Sequence, residues 1–145
     1  MEAIDNTGGA YLFSHSEIIR PGAPPLRIEC YAGDILAKHS DALIVSAFER
    51  DYLPVPNSIL GAIRRRFGFA FGVDLPAGTV SVHPGLHRFP TPPCDAFSSL
   101  WVIEVCTPGQ REDSDLSARM AVLRSHVTDI VNSGAQTIAL PLIGT

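Results

Sequence analysis

The residues best placed for chemistry are a carboxylate that follows a glycine and a polar segment that precedes a helix. Asp34 follows Gly33 at the end of a predicted strand, where its carboxylate can accept a hydrogen bond from an exocyclic amine. Ser58 opens a predicted helix, and a helix N-terminus offers unpaired backbone N–H groups and partial positive charge to a diphosphate. Asp34 is equally suited to capping a short helix over residues 35–40, and both roles can hold at once.

Strand patterns recur along the chain and must position these groups. Residues 26–31 alternate between apolar and polar side chains, whereas residues 42–47 are apolar on both faces, as in a parallel sheet that is covered on both sides. Residues 84–99 hold four prolines without a clear period, which predicts an irregular loop. Further strands are predicted over residues 79–82, 100–106 and 137–143.

Two predicted helices alternate with these strands. The first covers residues 58–67, with Asn57 as its N-cap and Gly68 at its end. The second covers residues 115–133, where the apolar side chains form one stripe. It completes a βαβ unit with the strands before and after it. The alternation predicts an α/β fold, a three-layer α/β/α sandwich with a mixed, mostly parallel sheet.

In order and residue type, these segments resemble the macro domain, the ADP-ribose-binding module. Its signature runs Gly-Asp-Ile, then Asp-Ala-Ile-Val-Asn-Ala-Ala-Asn, then Gly-Ala-Ile. Residues 33–35, 41–44 and 61–63 match that signature in place. Residues 101–106 resemble the family's central strand, and residues 137–145 resemble its penultimate strand and the start of its second phosphate loop.

The resemblance covers residues 26–145 and implies a macro-domain-like domain that lacks the family's last helix and strand, after an N-terminal extension over residues 1–25 whose apolar run at residues 11–13 is suited to an edge strand. It implies binding of ADP-ribose or a related adenine dinucleotide, as a sensor or recruitment domain of a larger protein with fused effector domains. The Asp34 carboxylate would hold the adenine amino group while Ile35 packs against the base. The implied ligand-binding residues are Gly33, Asp34, Ile35, Ser46, Ala47, Phe48, Asn57, Ser58, Ile59, Ile143, Gly144 and Thr145.

The positions that carry catalysis in hydrolases of this family hold apolar residues here. Two asparagines and an aspartate of the family are replaced by Val45, Phe48 and Leu60, none of which can orient a water molecule. We therefore expect binding without turnover and no catalytic residue. Phe48 is suited either to stacking on the distal ribose or base or to packing in the core.

Two alternative functions stay open. Glu49 and Asp51 flank the expected cleft, and either carboxylate can replace the missing base of an ADP-ribosyl hydrolase. Residues 48–57 contain no glycine, although the family uses glycines there for close approach to phosphate. In the second alternative, this loop is a rigid connection braced by prolines. The chain would then be an interaction scaffold with a degenerate cleft. Glu104, inside an apolar strand, either lines the cleft or pairs locally.

Composition and charge limit the class of protein and the kinds of partner. The chain is 46% hydrophobic and 18% charged, which is typical of a globular α/β protein. Its net charge of −4 argues against nucleic acid as the main partner. No apolar run has the length of a membrane span and no signal sequence is evident, so we expect no membrane partner and a cytoplasmic location. The spacing of cysteines and histidines predicts no metal, and we expect no cofactor.

Overall fold

The chain divides into two units, Met1–His39 and Ser40–Thr145. It is a mixed α/β protein, with two α-helices and seven strands among the described residues. The domain boundary predicted after residue 25 falls inside a strand of the first unit. The computed structural model of this chain describes residues 10–48, 50–69, 71–91, 93–105 and 116–141.

The first unit contains a two-stranded antiparallel sheet. Strand β1 (Ala10–Arg20) pairs with β2 (Ala23–Gly33) across a turn at Gly22, whose φ of 73° favours glycine. β2 begins three residues earlier than predicted and includes two prolines, which a strand tolerates where its N–H groups need no partner. A 3-10 helix, Ile35–Ala37, follows β2.

The second unit contains a mixed sheet, which has five strands in the part of the chain that the structure describes. The strands are β3 (Ser40–Phe48), β4 (Val80–His83), β5 (Leu86–Phe89), β6 (Phe97–Val105) and β7 (Ile138–Ala139). Their order is β4-β5-β6-β3-β7. β3 is parallel to β6 and β7, whereas β5 is antiparallel to β4 and β6. The mixed sheet is thus confirmed, but only half of the described pairings are parallel.

Strand β5 lies within residues 84–99, for which the sequence predicted an irregular loop. β4 and β5 form a hairpin whose tight turn contains Gly85, with a φ of 81°. Leu86, His87 and Phe89 are buried where β5 pairs with β6. The prediction was wrong because the burial of this short strand comes from a long-range pairing, which the local proline content does not reveal.

The two helices are α1 (Ile59–Phe67) and α2 (Leu116–Asn132). The Ser58 hydroxyl oxygen accepts a hydrogen bond from the Gly61 N–H at 3.0 Å. Ser58 is therefore the N-cap, and the prediction of Asn57 was wrong by one residue. Gly68 ends α1 with a φ of 70°, as predicted. Within the described ranges, neither helix is long and apolar enough to cross a membrane.

The core forms around β3, as the sequence predicted for this strand. Its residues Ala42 to Val45 are at most 1% exposed, so both faces of the strand are covered. On one face, Ala42 and Ile44 belong to a buried cluster with Trp101 of β6 and Ile130 of α2. Leu123 and Val127 of α2 pack against the same cluster. The apolar stripe predicted for the second helix therefore covers one face of the sheet.

Asp41, at the amino end of β3, holds the short strand β7 in register. Its Oδ2 atom accepts hydrogen bonds from the N–H groups of Gln136 and Thr137 at 2.8 and 3.0 Å. The Asp41 N–H donates to the Thr137 hydroxyl oxygen at 2.8 Å. Because β7 pairs through only two of its described residues, these bonds to the Asp41 side chain and backbone supplement the ladder.

Gly61→Ala should lower the free energy of unfolding of the second unit by about 1–3 kcal/mol. A Cβ atom at this position would lie 2.1 Å from the Val55 carbonyl oxygen, so the loop before α1 would have to move. Urea unfolding followed by the fluorescence of Trp101, the single tryptophan, measures the change. Gly72→Ala is the matched control, because nothing lies within 4 Å of its added Cβ. Equal losses in both variants would contradict the close approach.

Candidate functional site

The carboxyl ends of β3 and β6 meet at one edge of the sheet because the two strands are parallel. Their register places Ala47 beside Glu104 and Phe48 beside Val105. The chain turns directly after β3, where the Asp51 N–H donates to the Phe48 carbonyl oxygen at 3.1 Å. The residues that follow this turn therefore lie at the same edge as Glu104.

Four polar side chains are joined by hydrogen bonds at this edge, and we call Tyr52, Ser81, His87 and Glu104 the Glu104 network. The Tyr52 hydroxyl donates to Oε1 of Glu104. Nε2 of His87 lies 2.8 Å from the same oxygen, and Nδ1 of His87 lies 2.8 Å from Oγ of Ser81. Tyr52 and His87 are only 2% and 7% exposed, whereas Ser81 faces solvent. The network thus runs from the interior to the surface.

The register of the sheet explains why these groups meet. Ser81 lies opposite His87 in the β4–β5 pair, and His87 lies opposite Val102, two residues before Glu104. Since side chains alternate along strands, the three polar groups share one face. The ring of Tyr52 approaches His87 edge-on, with 6.3 Å between the ring centroids. Strands and aromatic packing therefore hold the network rigidly.

The hydrogen bonds assign one tautomer to His87. A carboxylate only accepts hydrogen bonds, so Nε2 of His87 carries the hydrogen that Glu104 receives. In the neutral imidazole, Nδ1 is then the acceptor for the Ser81 hydroxyl. Glu104, for which the sequence left two roles open, thus pairs locally with Tyr52 and His87.

The sequence predicted no role for Tyr52, Ser81 or His87. The available signal was Glu104 inside an apolar segment and His87 in the short alternating run Leu86–Phe89. An ionisable side chain inside an apolar strand needs a partner when it is buried. Which partner it finds depends on the register of β5 on β6, and that register is not a local property of the sequence.

The predicted ligand-binding residues of the second unit lie in two groups. One group ends β3 and the other leads into α1. Phe48 is 37% exposed, so its ring is available for stacking and is not a core residue. Ser58 caps α1, whereas Asn57 is exposed in the preceding turn. The groups are Ser46, Ala47 and Phe48, and Asn57, Ser58 and Ile59.

The other predicted ligand-binding residues belong to the first unit or lie outside the described residues. Gly33, Asp34 and Ile35 belong to the first unit, where Oδ1 of Asp34 accepts a hydrogen bond from the Leu36 N–H at 2.9 Å. The capping role of Asp34 is therefore confirmed, for a helix that is shorter than expected. Its role toward an adenine stays a prediction. Ile143, Gly144 and Thr145 lie outside the described residues.

The residues that replace the family's catalytic groups differ in exposure. Val45 and Leu60 are buried in the core, where they contact no solvent that could serve as a nucleophile, whereas Phe48 is partly exposed. Of the two carboxylates considered for a hydrolase, Asp51 is exposed. Glu49 lies outside the described residues.

A second group of titratable side chains lies between β4 and α2. Nε2 of His83 is 2.8 Å from Oδ2 of Asp129, without the alignment of a hydrogen bond, and the His83 ring stacks on His126. Burial lowers the pKa of His126, His83 lowers it further, and Asp129 opposes both effects. Across the described ranges, no three or more His, Cys, Asp or Glu residues are grouped so that they could hold a metal ion.

Comparison of this chain with protein-family models, with curated proteins and with solved structures finds no match. The chemistry of the site is therefore argued from its own residues. Two features offer a function: the N-terminus of α1, which suits an anion, and the Glu104 network, which ends at an exposed hydroxyl group.

Tyr52→Phe should lower the free energy of unfolding by about 1.5–3 kcal/mol, because it removes a hydrogen bond to a charged group in the interior. Glu104→Gln removes the charge from the same pair. A double-mutant cycle that combines both changes, read by Trp101 fluorescence in urea, measures the coupling energy. Strictly additive losses would show that the two side chains do not interact.

The stability of the second unit should fall as the pH drops below about 6.5, the ordinary pKa of histidine. The folded pKa of His126 lies below that value, so the unfolded state binds more protons in this range. The contribution of His126 to stability is complete above its pKa in the unfolded state and is lost as the pH falls toward its pKa in the folded state. His126→Leu should flatten this dependence in urea titrations, and His83→Gln should weaken it in part. An unchanged slope in His126→Leu would contradict the assignment.

Proposed function

We propose that this chain is a macro-domain-like module that binds ADP-ribose or a related adenine dinucleotide without turnover. The observation that carries the proposal is the N-terminus of α1, which Ser58 caps and which follows the loop from the carboxyl end of β3. Ligands of α/β sheets bind outside the carboxyl ends of the strands. A helix N-terminus accommodates a diphosphate there without a basic side chain.

The proposal includes a three-layer α/β/α sandwich as the complete fold. α2 supplies one outer layer through its contact with the core cluster. α1 is assigned to the other layer, and its Phe67 ring meets Phe97 of β6 edge-on at 6.0 Å between centroids. The strand order adds support, because α2 connects β6 to β7 across β3, which lies between them. Such crossovers are the usual unit of sheets with parallel strands.

The loop before α1 is fixed by contacts that substitute for a glycine-rich sequence. The Ser58 N–H and hydroxyl both donate to the Val55 carbonyl oxygen, at 2.9 and 2.8 Å. The Arg65 guanidinium donates to the Pro56 carbonyl oxygen, and the absence of a side chain at Gly61 makes room for Val55. A loop held in one shape is suited to recognition by its backbone, because little conformational entropy is lost on binding.

Binding without turnover follows from the apolar residues at the catalytic positions. Val45 and Leu60 are buried and offer no polar atom to a water molecule. The exposed ring of Phe48 is assigned to stacking on the distal ribose or base. A module of this kind would act as a sensor or recruitment domain in the cytoplasm.

Charge at the N-cap tests the phosphate part of the proposal. Ser58→Asp keeps the cap but places a negative charge against the diphosphate, so calorimetry should show an affinity for ADP-ribose that is about tenfold lower or more. Ser58→Asn is the matched control, because asparagine has the size and capping ability of aspartate without its charge. It should bind ADP-ribose as the unmodified chain does. Equal affinities in both variants would place the diphosphate elsewhere.

Two other outcomes would replace the proposal. If the unmodified chain gives no heat of binding up to millimolar ADP-ribose, the module does not bind this ligand and the scaffold alternative is favoured. If the chain releases ADP-ribose from a modified protein, it is a hydrolase. In that case Asp51→Ala shows whether the Asp51 carboxylate takes part.

A further inference from the structure

Ser81 differs from Ser58 and Ser133, because its hydroxyl group contacts an imidazole. Oγ of Ser81 lies 2.8 Å from Nδ1 of His87, and Nε2 of His87 lies 2.8 Å from a Glu104 carboxylate oxygen. By contrast, the hydroxyls of Ser58 and Ser133 donate to backbone carbonyl oxygens. An alcohol, a base and a carboxylate in this sequence form the arrangement that activates a serine nucleophile.

The protonation pattern supports this role. In the neutral imidazole, Glu104 receives the Nε2 hydrogen, and Nδ1 of His87 is the unprotonated nitrogen that faces the Ser81 hydroxyl. When Nδ1 takes the serine proton, the resulting imidazolium lies against a carboxylate that Tyr52 holds in place. The order of the two imidazole nitrogens is the reverse of the one in the protease triad, but each nitrogen can serve as base or donor.

Access and rigidity add a second, independent argument. Ser81 is exposed on β4, which lies at the end of the described strand order, whereas His87 is 7% exposed. A buried base beneath an exposed hydroxyl is protected from competing water while the nucleophile stays open to a substrate. The Glu104 N–H donates to the Gly85 carbonyl oxygen at 2.9 Å, which fixes the strand carrying the carboxylate relative to the turn before His87.

We infer that Ser81 is a nucleophile for acyl transfer from carboxylic esters, with His87 as its general base and Glu104 and Tyr52 as positioning residues. The inference rests on the Glu104 network and not on the proposed binding of ADP-ribose. It assigns an activity to a face of the sheet for which the sequence predicted no catalytic residue.

The reaction requires only the side chains of the site, the ester and water. Ser81 Oγ attacks the carbonyl carbon while its proton passes to Nδ1 of His87. The bond from that carbon to the alkoxy oxygen then breaks, and the proton moves from His87 to the leaving alkoxide, which departs as the alcohol. Water, activated by His87 in the same way, then attacks the acyl-serine ester and releases the carboxylic acid, so that Ser81 recovers its proton. No electron transfer is involved.

A fluorophosphonate probe tests the inference on the unmodified chain. Attack by Ser81 forms the bond from phosphorus to oxygen, fluoride leaves, and the serine proton passes to His87. Peptide mapping by mass spectrometry should find the adduct on Ser81 and none on Ser133, the exposed internal control whose hydroxyl donates to the Ile130 carbonyl oxygen. A burst of p-nitrophenol from p-nitrophenyl acetate should accompany acylation. Labelling of Ser81 that is no faster than that of Ser133 would overturn the inference.

Variants separate activation from mere exposure. Ser81→Ala should abolish the adduct and the burst, and His87→Gln should slow labelling by about 100-fold, the usual contribution of a general base. Glu104→Ala should slow labelling as well, and added formate should restore part of the rate, which a purely structural role would not allow. If His87→Gln fails to fold by Trp101 fluorescence, the comparison of Ser81 with Ser133 in the unmodified chain decides alone. An unchanged rate in a folded His87→Gln variant would overturn the inference.

Discussion

The parallel pairing of β3 with β6 is the constraint on which the candidate site depends. It brings the carboxyl ends of both strands to one edge, so that Glu104 lies beside Ala47 and the turn after β3 returns to it. The pairing is secured by apolar burial, since β3 is covered on both faces. A slip of one residue would turn every side chain of β3 to the opposite face, and the misfit against the two packed faces fixes the register. The chemistry of the edge is therefore set by packing in the interior.

Glu104 links that packing to the polar chemistry. A carboxylate in a strand that is otherwise apolar loses hydration, and only well-placed donors offset this loss. Two elements supply them: the loop after β3 through Tyr52, and β5 through His87. Because the donors come from separate parts of the chain, the carboxylate also specifies how the loop and the hairpin are arranged on the sheet. The same bonds that stabilise Glu104 leave His87 with one free acceptor for Ser81.

Elements whose burial is visible in the local pattern could be predicted. The apolar run of β3 and the stripe of α2 are examples, as is the Gly68 stop of α1, because each depends on side-chain periodicity or on backbone preference. The N-cap was misplaced by one residue because Asn57 and Ser58 are both good caps. β5 and the roles of Tyr52, Ser81 and His87 were missed, since a four-residue strand can be recognised only from the strand that it pairs with.

Asp41 and the Glu104 network act at opposite ends of β3. At the amino end, Asp41 ties β3 to β7 through the N–H groups of Gln136 and Thr137. At the carboxyl end, the strand delivers the exposed Phe48 and the turn that leads to Tyr52. Alignment of the strands is thus secured far from the carboxyl edge. The scaffold can accept new side chains at its carboxyl edge while the sheet remains in place, which leaves specificity free to evolve independently of the fold.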